Sequence, residues 1–423
     1  MTAVAEVVDA LRERTHEEMG LSLASGLPEE EVEARAWALL VELVEEENRH
    51  RALAGREPLS AEERTESAQV LFDHLFRLGP LQPFLEDDTV EEVTVNAPDR
   101  GFVVRAGGAK ERFDTGFASD DEVRSLLARI VSRAGRRIDD ASPAVDVRLP
   151  GGARLHAIMP PLSRHPCLTI RRHRMVAGHL DDLVALGTVT RELADFLSQA
   201  VRGGLNILVS GGTASGKTTT LNVLGATIPP AERVVTIEET AELRLEEILP
   251  DCVALEARLA NIEGVGQIGI RELVRHALRM RPTRIVVGEV RGPEAVDMLS
   301  AMNTGHDGSM GTIHANSARQ ALSKLRTYVL MAEEQLTAEV ANEMIAETLD
   351  LVVHLHLDQR SGDRRVVQAA EVAGLEAGRV LTNDLFRLEP GGLIRTGIRP
   401  RFGGRLPELA PAPPSAWAGV GAR

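Results

Sequence analysis

The apolar residues of positions 1–80 recur every three or four residues, as at Leu40 and Val44, and this spacing predicts amphipathic helices. Pro28, followed by three glutamates, has the composition of a helix start, because proline is tolerated in the first turn and acidic side chains favour the positive end. Ser60, with a glutamate three positions later, predicts a capping box at the start of another helix. We therefore interpret residues 1–80 as a helical extension whose apolar stripe is a packing face.

Between residues 81 and 175, short runs of alternating apolar and polar residues are separated by turn residues, which predicts strands. A run with helical spacing at 120–133 interrupts them. We expect a small mixed α/β domain with strands at 90–95, 102–105, 110–113, 144–149, 153–158 and 167–171. Residues 176–189 are predicted to be a linker.

From residue 190 to 389 the pattern becomes a regular alternation of apolar strands and longer helical segments. This alternation predicts a parallel sheet covered by helices, with its ligand at the carboxyl ends of the strands. The strands are expected at 205–209, 233–237, 252–255, 284–288, 309–313 and 351–357, and the helices at 190–202, 218–227, 270–280, 293–303 and 317–331. Residues 390–423 are rich in Gly, Pro and Ala, which predicts a disordered tail.

Composition and charge narrow the class of protein. The chain has 423 residues, 43% of them hydrophobic, but no uncharged apolar run reaches the ~20 residues of a membrane span. Its two cysteines, Cys167 and Cys252, are too few and too far apart for a disulfide framework, which favours a reducing cytoplasm. The whole net charge of −15 is contributed by residues 1–92, so we expect no direct nucleic-acid binding there. A solvated surface or a docking surface would both explain this acidity.

A glycine-rich segment between a predicted strand and a predicted helix carries the clearest chemistry. It reads Gly-x-x-x-x-Gly-Lys-Thr, in which backbone N–H groups can surround phosphate oxygens and the helix directs its positive end at the same anion. Lys217 would contact the β- and γ-phosphates, and the Thr218 hydroxyl would bind Mg²⁺. The predicted nucleotide-binding residues are Gly211, Gly212, Thr213, Ala214, Ser215, Gly216, Lys217, Thr218 and Thr219.

Hydrolysis also requires acids, and two predicted strands end in them. The first is followed by Glu238, Glu239 and Glu242, whose mutual repulsion suggests a nearby metal or bound water. The second ends in Gly288-Glu289, where a nucleoside triphosphatase places its second acidic motif. Two histidines follow, His306 and His314, of which His314 closes a strand and could sense the γ-phosphate.

Four motifs follow one another along the chain: the phosphate-binding loop, the Ile-Glu-x-x-x-Glu box, the Gly-Glu-x-Arg motif and the Thr-Gly-His…His-Ala-Asn box. This order resembles the type II/IV secretion and type IV pilus ATPase superfamily. The chain looks most like the branch that powers tight-adherence (Tad) pili. That branch is suggested by Asn261-Ile-Glu-Gly264, Ala277-Leu-Arg-Met-Arg-Pro282, Gly288-Glu-Val-Arg-Gly292 and Asp146-Val-Arg-Leu-Pro-Gly-Gly-Ala-Arg154. The resemblance covers about residues 70–385.

The resemblance implies an α/β fold in which a RecA-like P-loop NTPase domain follows a small mixed α/β (PAS-like) domain. It also implies a homo-hexameric ring that uses ATP and Mg²⁺. Glu242 would activate the attacking water. Glu238 would support Mg²⁺ directly or through water. Glu289 would be the second acid, and it could hold Mg²⁺ through water in place of Glu238. The remaining site residues that match the superfamily are His306, His314 and three arginines of the N-terminal domain, Arg148, Arg154 and Arg171.

Three positions depart from the superfamily pattern: Glu239 replaces aspartate, Ser142 replaces arginine and Gly311 replaces threonine. None removes a residue that the chemistry requires. We expect a cytoplasmic ATPase motor that reaches the inner membrane through a pilus or secretion platform protein. A motor for conjugative, DNA-translocating type IV secretion and a non-motor nucleotide-binding regulator are the alternatives. The sequence leaves ATP or GTP, and extension or retraction, open.

Overall fold

The computed structural model describes residues 3–22, 29–105, 108–172, 176–258, 260 and 265–406. The chain divides into two compact units, Met1–His173 and Arg174–Arg423. The predicted helix start at Pro28 and the Asn261-Ile-Glu-Gly264 motif lie outside the described residues. Within these residues, no helix combines the length and apolar character needed to cross a bilayer.

The first unit begins with helices, as the periodicity predicts. They are α1 (Ala3–Ser22), α2 (Glu29–Leu53), α3 (Ala61–Phe76) and the short α4 (Gln82–Glu86). The capping box at α3 is confirmed, because the Ser60 hydroxyl accepts the Glu63 N–H while the Glu63 carboxylate accepts the Ser60 N–H at 2.8 Å. The first three helices share a core of their own, in which Trp37 meets Phe72 edge to face at 5.7 Å.

A six-stranded antiparallel sheet completes this unit, in the order β3-β2-β1-β6-β5-β4. Its strands are β1 (Val90–Ala97), β2 (Arg100–Arg105), β3 (Lys110–Phe113), β4 (Ala144–Arg148), β5 (Arg154–Ile158) and β6 (Cys167–Arg171), with α5 (Asp120–Arg133) between β3 and β4. Alternate residues such as Val147 and Leu155 are buried in one cluster with Leu127 of α5. The intervening residues of β4–β6 are more exposed, so one face of the sheet carries polar side chains.

The second unit is built on a nine-stranded sheet in the order β15-β14-β13-β12-β7-β11-β10-β8-β9. The strands are β7 (Ile207–Gly211), β8 (Val234–Glu238), β9 (Cys252–Glu256), β10 (Arg284–Val290), β11 (Met310–His314), β12 (Leu351–Leu357), β13 (Arg364–Glu376), β14 (Arg379–Glu389) and β15 (Gly392–Arg395). The six strands from β12 to β9 are parallel, and β13–β15 extend the sheet in antiparallel pairing.

Helices cover both faces of this sheet. They are α6 (Leu180–Ala185), α7 (Arg191–Arg202), α8 (Lys217–Ala226), α9 (Leu245–Ile248), α10 (Ile270–Leu278), α11 (Glu294–Asn303), α12 (Ala318–Leu330) and α13 (Ala338–Thr348). Neighbouring β7 residues enter different cores, since Val209 packs with α7 and α8 while Leu208 packs with α11 and α12. The predicted α/β fold with a RecA-like sheet is confirmed, and the antiparallel extension adds to it.

Two sequence predictions in this unit are wrong. The expected linker contains α6, whose Leu183 is buried in the core. The expected disordered tail is ordered as far as Leu406, through β15 and a final turn of 3₁₀ helix at Gly403–Arg405. Phe402 and Leu406 are buried in the same core as α7, and burying two large apolar side chains contributes to offsetting the cost of ordering a glycine-rich backbone. Residues 407–423 lie outside the described part.

Candidate active site

The glycine-rich loop lies between the end of β7 and the start of α8. Gly211 has no room for a side chain, because a Cβ there would lie 2.4 Å from the Ser215 Oγ. Ala214 and Gly216 adopt the left-handed backbone, with φ of 58° and 92°. The Lys217 Nζ and the Ser215 hydroxyl both donate to the Gly212 carbonyl, at 2.8 and 2.9 Å. The loop therefore closes on itself.

The loop leaves open space beside Gly212. A Cβ built on Gly212 would meet nothing within 4 Å, in contrast to the crowded Gly211 beside it. The Lys217 ammonium is already at the loop, and the first turn of α8 presents N–H groups and a positive helix end to the same space. Thr218, half-buried in that turn, has the hydroxyl that would bind Mg²⁺ beside the phosphates of a nucleotide.

Three further strands end at the same edge of the sheet. His314, the last residue of β11, is paired with Gly211 of β7. Glu289 lies near the end of β10, the next strand, and Glu238 ends β8 beyond it. Since parallel strands place their carboxyl ends together, the predicted His314, Glu289 and Glu238 follow one another away from the phosphate-binding loop.

His314 lies within the electrostatic reach of this loop. Partial burial lowers the pKa of its imidazole below the ordinary value, and the positive charge of Lys217 lowers this pKa further, while Glu289 opposes both effects. The neutral imidazole is therefore favoured at neutral pH. It can donate one hydrogen bond and accept another next to the position predicted for the γ-phosphate.

Glu238 is turned into the protein. Its carboxylate is only 3% exposed and accepts the backbone N–H groups of Glu242 at 3.0 Å and Leu243 at 3.1 Å. Burial raises the pKa of Glu238 to about 7, although these two hydrogen bonds act in the opposite direction. The geometry lets Glu238 fix the backbone that carries Glu242, whose own side chain is half-buried.

Arg291 joins the two acidic motifs. Its guanidinium donates to the Glu289 carboxylate at 2.7 Å and to the Glu239 carboxylate at 2.6 Å. Hydrogen bonding to Glu289 raises the pKa of the arginine, so the bridge stays charged. Arg291 belongs to the Gly-Glu-x-Arg motif, but no sequence pattern indicates that it reaches the first acidic motif.

His306 lies away from this constellation. It precedes β11 by four residues, whereas the loop follows β7, so His306 lies towards the opposite edge of the parallel sheet. Its Nδ1 is 2.9 Å from the Ala301 carbonyl of α11, and its own carbonyl accepts the Ser309 hydroxyl at 2.7 Å. Through these contacts, His306 stabilises the turn that precedes β11.

The three predicted arginines of the first unit are direct cross-strand neighbours. Arg148 of β4 pairs with Arg154 of β5, and Arg154 pairs with Arg171 of β6. All three belong to the more exposed face of the sheet. The strand pairing therefore places three positive charges in one row across β4, β5 and β6.

Two more residues contact the loop segment from strands that the sequence did not connect with it. The His354 Nδ1 of β12 is 3.0 Å from the Ser210 Oγ of β7, and the pair is buried beneath the loop. Arg364, at the start of β13, donates its Nε to the Ala214 carbonyl at 2.9 Å. Each is more than a hundred positions from its partner, so local patterns contain no signal for either contact.

Known proteins resemble this chain over most of its length. Residues 75–376 match the family model for type II/IV secretion system proteins. Rv3659c of Mycobacterium tuberculosis, which carries a provisional conjugal-transfer name, is 39% identical over 330 residues, or 76% of this chain and 92% of its own. The conjugal transfer protein TrbB of Rhizobium radiobacter is 33% identical over 310 residues, or 72% and 90% respectively. The crystal structure of the pilus retraction motor PilT with bound ADP has a TM-score of 0.50 and 19% identity, covering 79% of this chain and 97% of that one, and shows the fold alone.

Proposed function

The chain belongs to the type II/IV secretion system protein family, and on that premise we propose that it is an ATP-hydrolysing motor subunit. The observation that carries the proposal is the order of strand ends along one edge of the sheet. Lys217 beside β7, His314 on β11 and Glu289 on β10 form a continuous series of a cation, a neutral imidazole and a carboxylate. These three groups could bind a triphosphate, sense its γ-phosphate and position Mg²⁺ and its water ligands.

In the proposed reaction, water attacks the γ-phosphorus, the bond to the bridging oxygen of ADP breaks, and phosphate leaves. Lys217 and the loop N–H groups would neutralise charge on the phosphates, and the Thr218 hydroxyl would hold Mg²⁺. Glu242 orients and activates the water, on a backbone fixed by Glu238. Glu289, held by Arg291, would help to hold Mg²⁺, which would supply positive charge at the phosphates.

We further propose that the subunit works as a cytoplasmic homo-hexamer, attached through a platform protein to the inner membrane. Assembly of a Tad-like pilus is the favoured process, on the strength of the Gly288-Glu-Val-Arg-Gly292 and Asp146–Arg154 motifs. Conjugal transfer is the second candidate, because Rv3659c and TrbB carry conjugal-transfer names. Deleting the gene and scoring both piliation and DNA transfer separates the two processes.

The enzymatic proposal is tested by phosphate release from Mg²⁺-ATP by the purified chain. We expect turnover that requires Mg²⁺, and a loss of at least about a hundredfold in the Lys217→Ala variant, since Lys217 contacts the transferred phosphoryl group. Arg365→Ala is the matched control, because Arg365 is an exposed cation that pairs with Asp363 at 2.7 Å. Absence of turnover in the wild-type chain would favour a nucleotide-binding regulator, and full turnover in Lys217→Ala would show that hydrolysis does not depend on this loop; either result overturns the enzymatic proposal. Sizing with and without Mg²⁺-nucleotide tests the hexamer.

A further inference from the structure

The phosphate-binding loop is held from outside by an arginine that belongs to neither the loop nor the acidic motifs. Arg364 is the first residue of β13, where the antiparallel extension of the sheet begins. Its Nε donates to the Ala214 carbonyl at 2.9 Å. A Cβ built on Gly216 would lie 3.6 Å from the Arg364 Cδ, so the aliphatic stem also lies against the loop. Arg364 therefore contacts the loop at two points.

The point of attachment is the strained part of the loop. Ala214 has a φ of 58°, in the left-handed region that alanine disfavours because its Cβ crowds the following carbonyl. A residue keeps such a conformation only where surrounding contacts hold it there. The guanidinium supplies that contact, since a charge-assisted hydrogen bond is stronger than a bond between neutral groups.

The extension is well placed to hold Arg364 still. β12 pairs with β7 beside the loop, Leu355 opposite Gly211, and β13 pairs with β12 in the antiparallel direction. The hairpin between β12 and β13 is closed by the Asp358 and Asp363 backbones, with an N–H to carbonyl distance of 2.9 Å. Arg364 thus projects from a hydrogen-bonded hairpin, whereas its neighbour Arg365 pairs with Asp363.

We propose that Arg364 is a positioning residue for the nucleotide site. By fixing the Ala214 carbonyl on the outer side of the loop, it keeps the N–H groups of the inner side converged on one phosphate position. The loop is then already in its binding conformation before the nucleotide binds. The free-energy cost of ordering the loop therefore does not weaken binding. The inference rests on the proposed function in one respect, which is that the ligand of the loop is a nucleotide.

The test compares ADP binding by wild-type, Arg364→Ala, Arg364→Lys and Arg365→Ala chains, using calorimetric titration with ADP in the presence of Mg²⁺. We expect Arg364→Ala to bind ADP about tenfold more weakly, with KM for ATP raised in step and kcat changed less than twofold. Arg365→Ala should bind like the wild type. Arg364→Lys keeps the charge but not the Nε donor, and we expect it to recover less than half of the lost affinity on a logarithmic scale.

A second measurement separates positioning from general stability. Amide hydrogen exchange at residues 212–216, measured without nucleotide, should be faster in Arg364→Ala than in the wild type while exchange in the sheet is unchanged. Wild-type affinity in Arg364→Ala, or full recovery in Arg364→Lys, would overturn the inference and leave the ATPase proposal intact. A wild-type chain that binds no ADP would instead overturn the proposed function.

Discussion

Gly288 and Glu238 share one space between two neighbouring strands. A Cβ on Gly288 of β10 would lie 2.7 Å from the Cγ and 3.1 Å from the Oε1 of Glu238 on β8. Gly288, the glycine that precedes Glu289, is therefore the position that makes room for the buried carboxylate. The buried position of Glu238 in the first acidic motif therefore depends on the absence of a side chain at Gly288 in the second.

We expect Gly288→Ala to displace Glu238 and with it the backbone of Glu242. The contact is below any normal Cβ distance, and overpacking of this kind costs about 1–3 kcal/mol of unfolding free energy. ATP turnover should fall at least about tenfold, because small displacements of a catalytic group are costly, while ADP affinity stays within about twofold. Turnover, calorimetric binding and urea unfolding check this. Gly391→Ala is the control, since a Cβ there meets nothing within 4 Å.

Glu238 should make stability depend on pH. Its folded pKa of about 7 lies above the ordinary value of 4.5, so the native state holds the proton more tightly than the unfolded chain. The resulting stabilisation is complete below pH 4.5 and is lost as the pH rises through 7. Relative to Glu238→Gln, the wild-type chain should lose stability between pH 5 and pH 8, by an amount on the order of 3 kcal/mol at most. Urea unfolding of both chains across this range decides the matter, and parallel curves would contradict the prediction.

Removing Arg291 should uncouple the acidic motifs without unfolding the protein. In Arg291→Ala the Glu289 and Glu239 carboxylates lose their shared cation, and we expect turnover to fall about tenfold as the Mg²⁺ site loses order. The exposed bridge should contribute less than about 1 kcal/mol to stability. Arg387→Ala, which removes an exposed arginine paired with Glu389 at 2.7 Å, is the control. Unchanged turnover in Arg291→Ala would show that Glu289 needs no partner.

The elements that depend on local periodicity were predictable from the sequence. β8 was expected at 233–237 and lies at Val234–Glu238, and α5 was expected at 120–133 and lies at Asp120–Arg133. The phosphate-binding loop and the strand-end positions of Glu289 and His314 follow from the same patterns, because each is written into a few consecutive residues.

Contacts between distant segments were not predictable. Glu371 interrupts an apolar run in β13, yet it is fully buried, because it accepts the Asn383 side-chain amide at 3.1 Å and the Arg401 backbone N–H. The same contact helps to order the chain after residue 390. The bridge from Arg291 to Glu239 and the bond from Arg364 to Ala214 are likewise set by strand order, which no single stretch of sequence contains.

Strand order also determines the stage of protein synthesis at which the nucleotide site can first be complete. β7 lies between β11 and β12, and the Ser210 and His354 pair beneath the loop is separated by 144 positions. A ribosome therefore delivers the complete glycine-rich loop long before the two strands that flank it. Until β12 has left the exit tunnel, the nascent chain carries an unsupported nucleotide motif, which should rule out early assembly of active subunits on the ribosome.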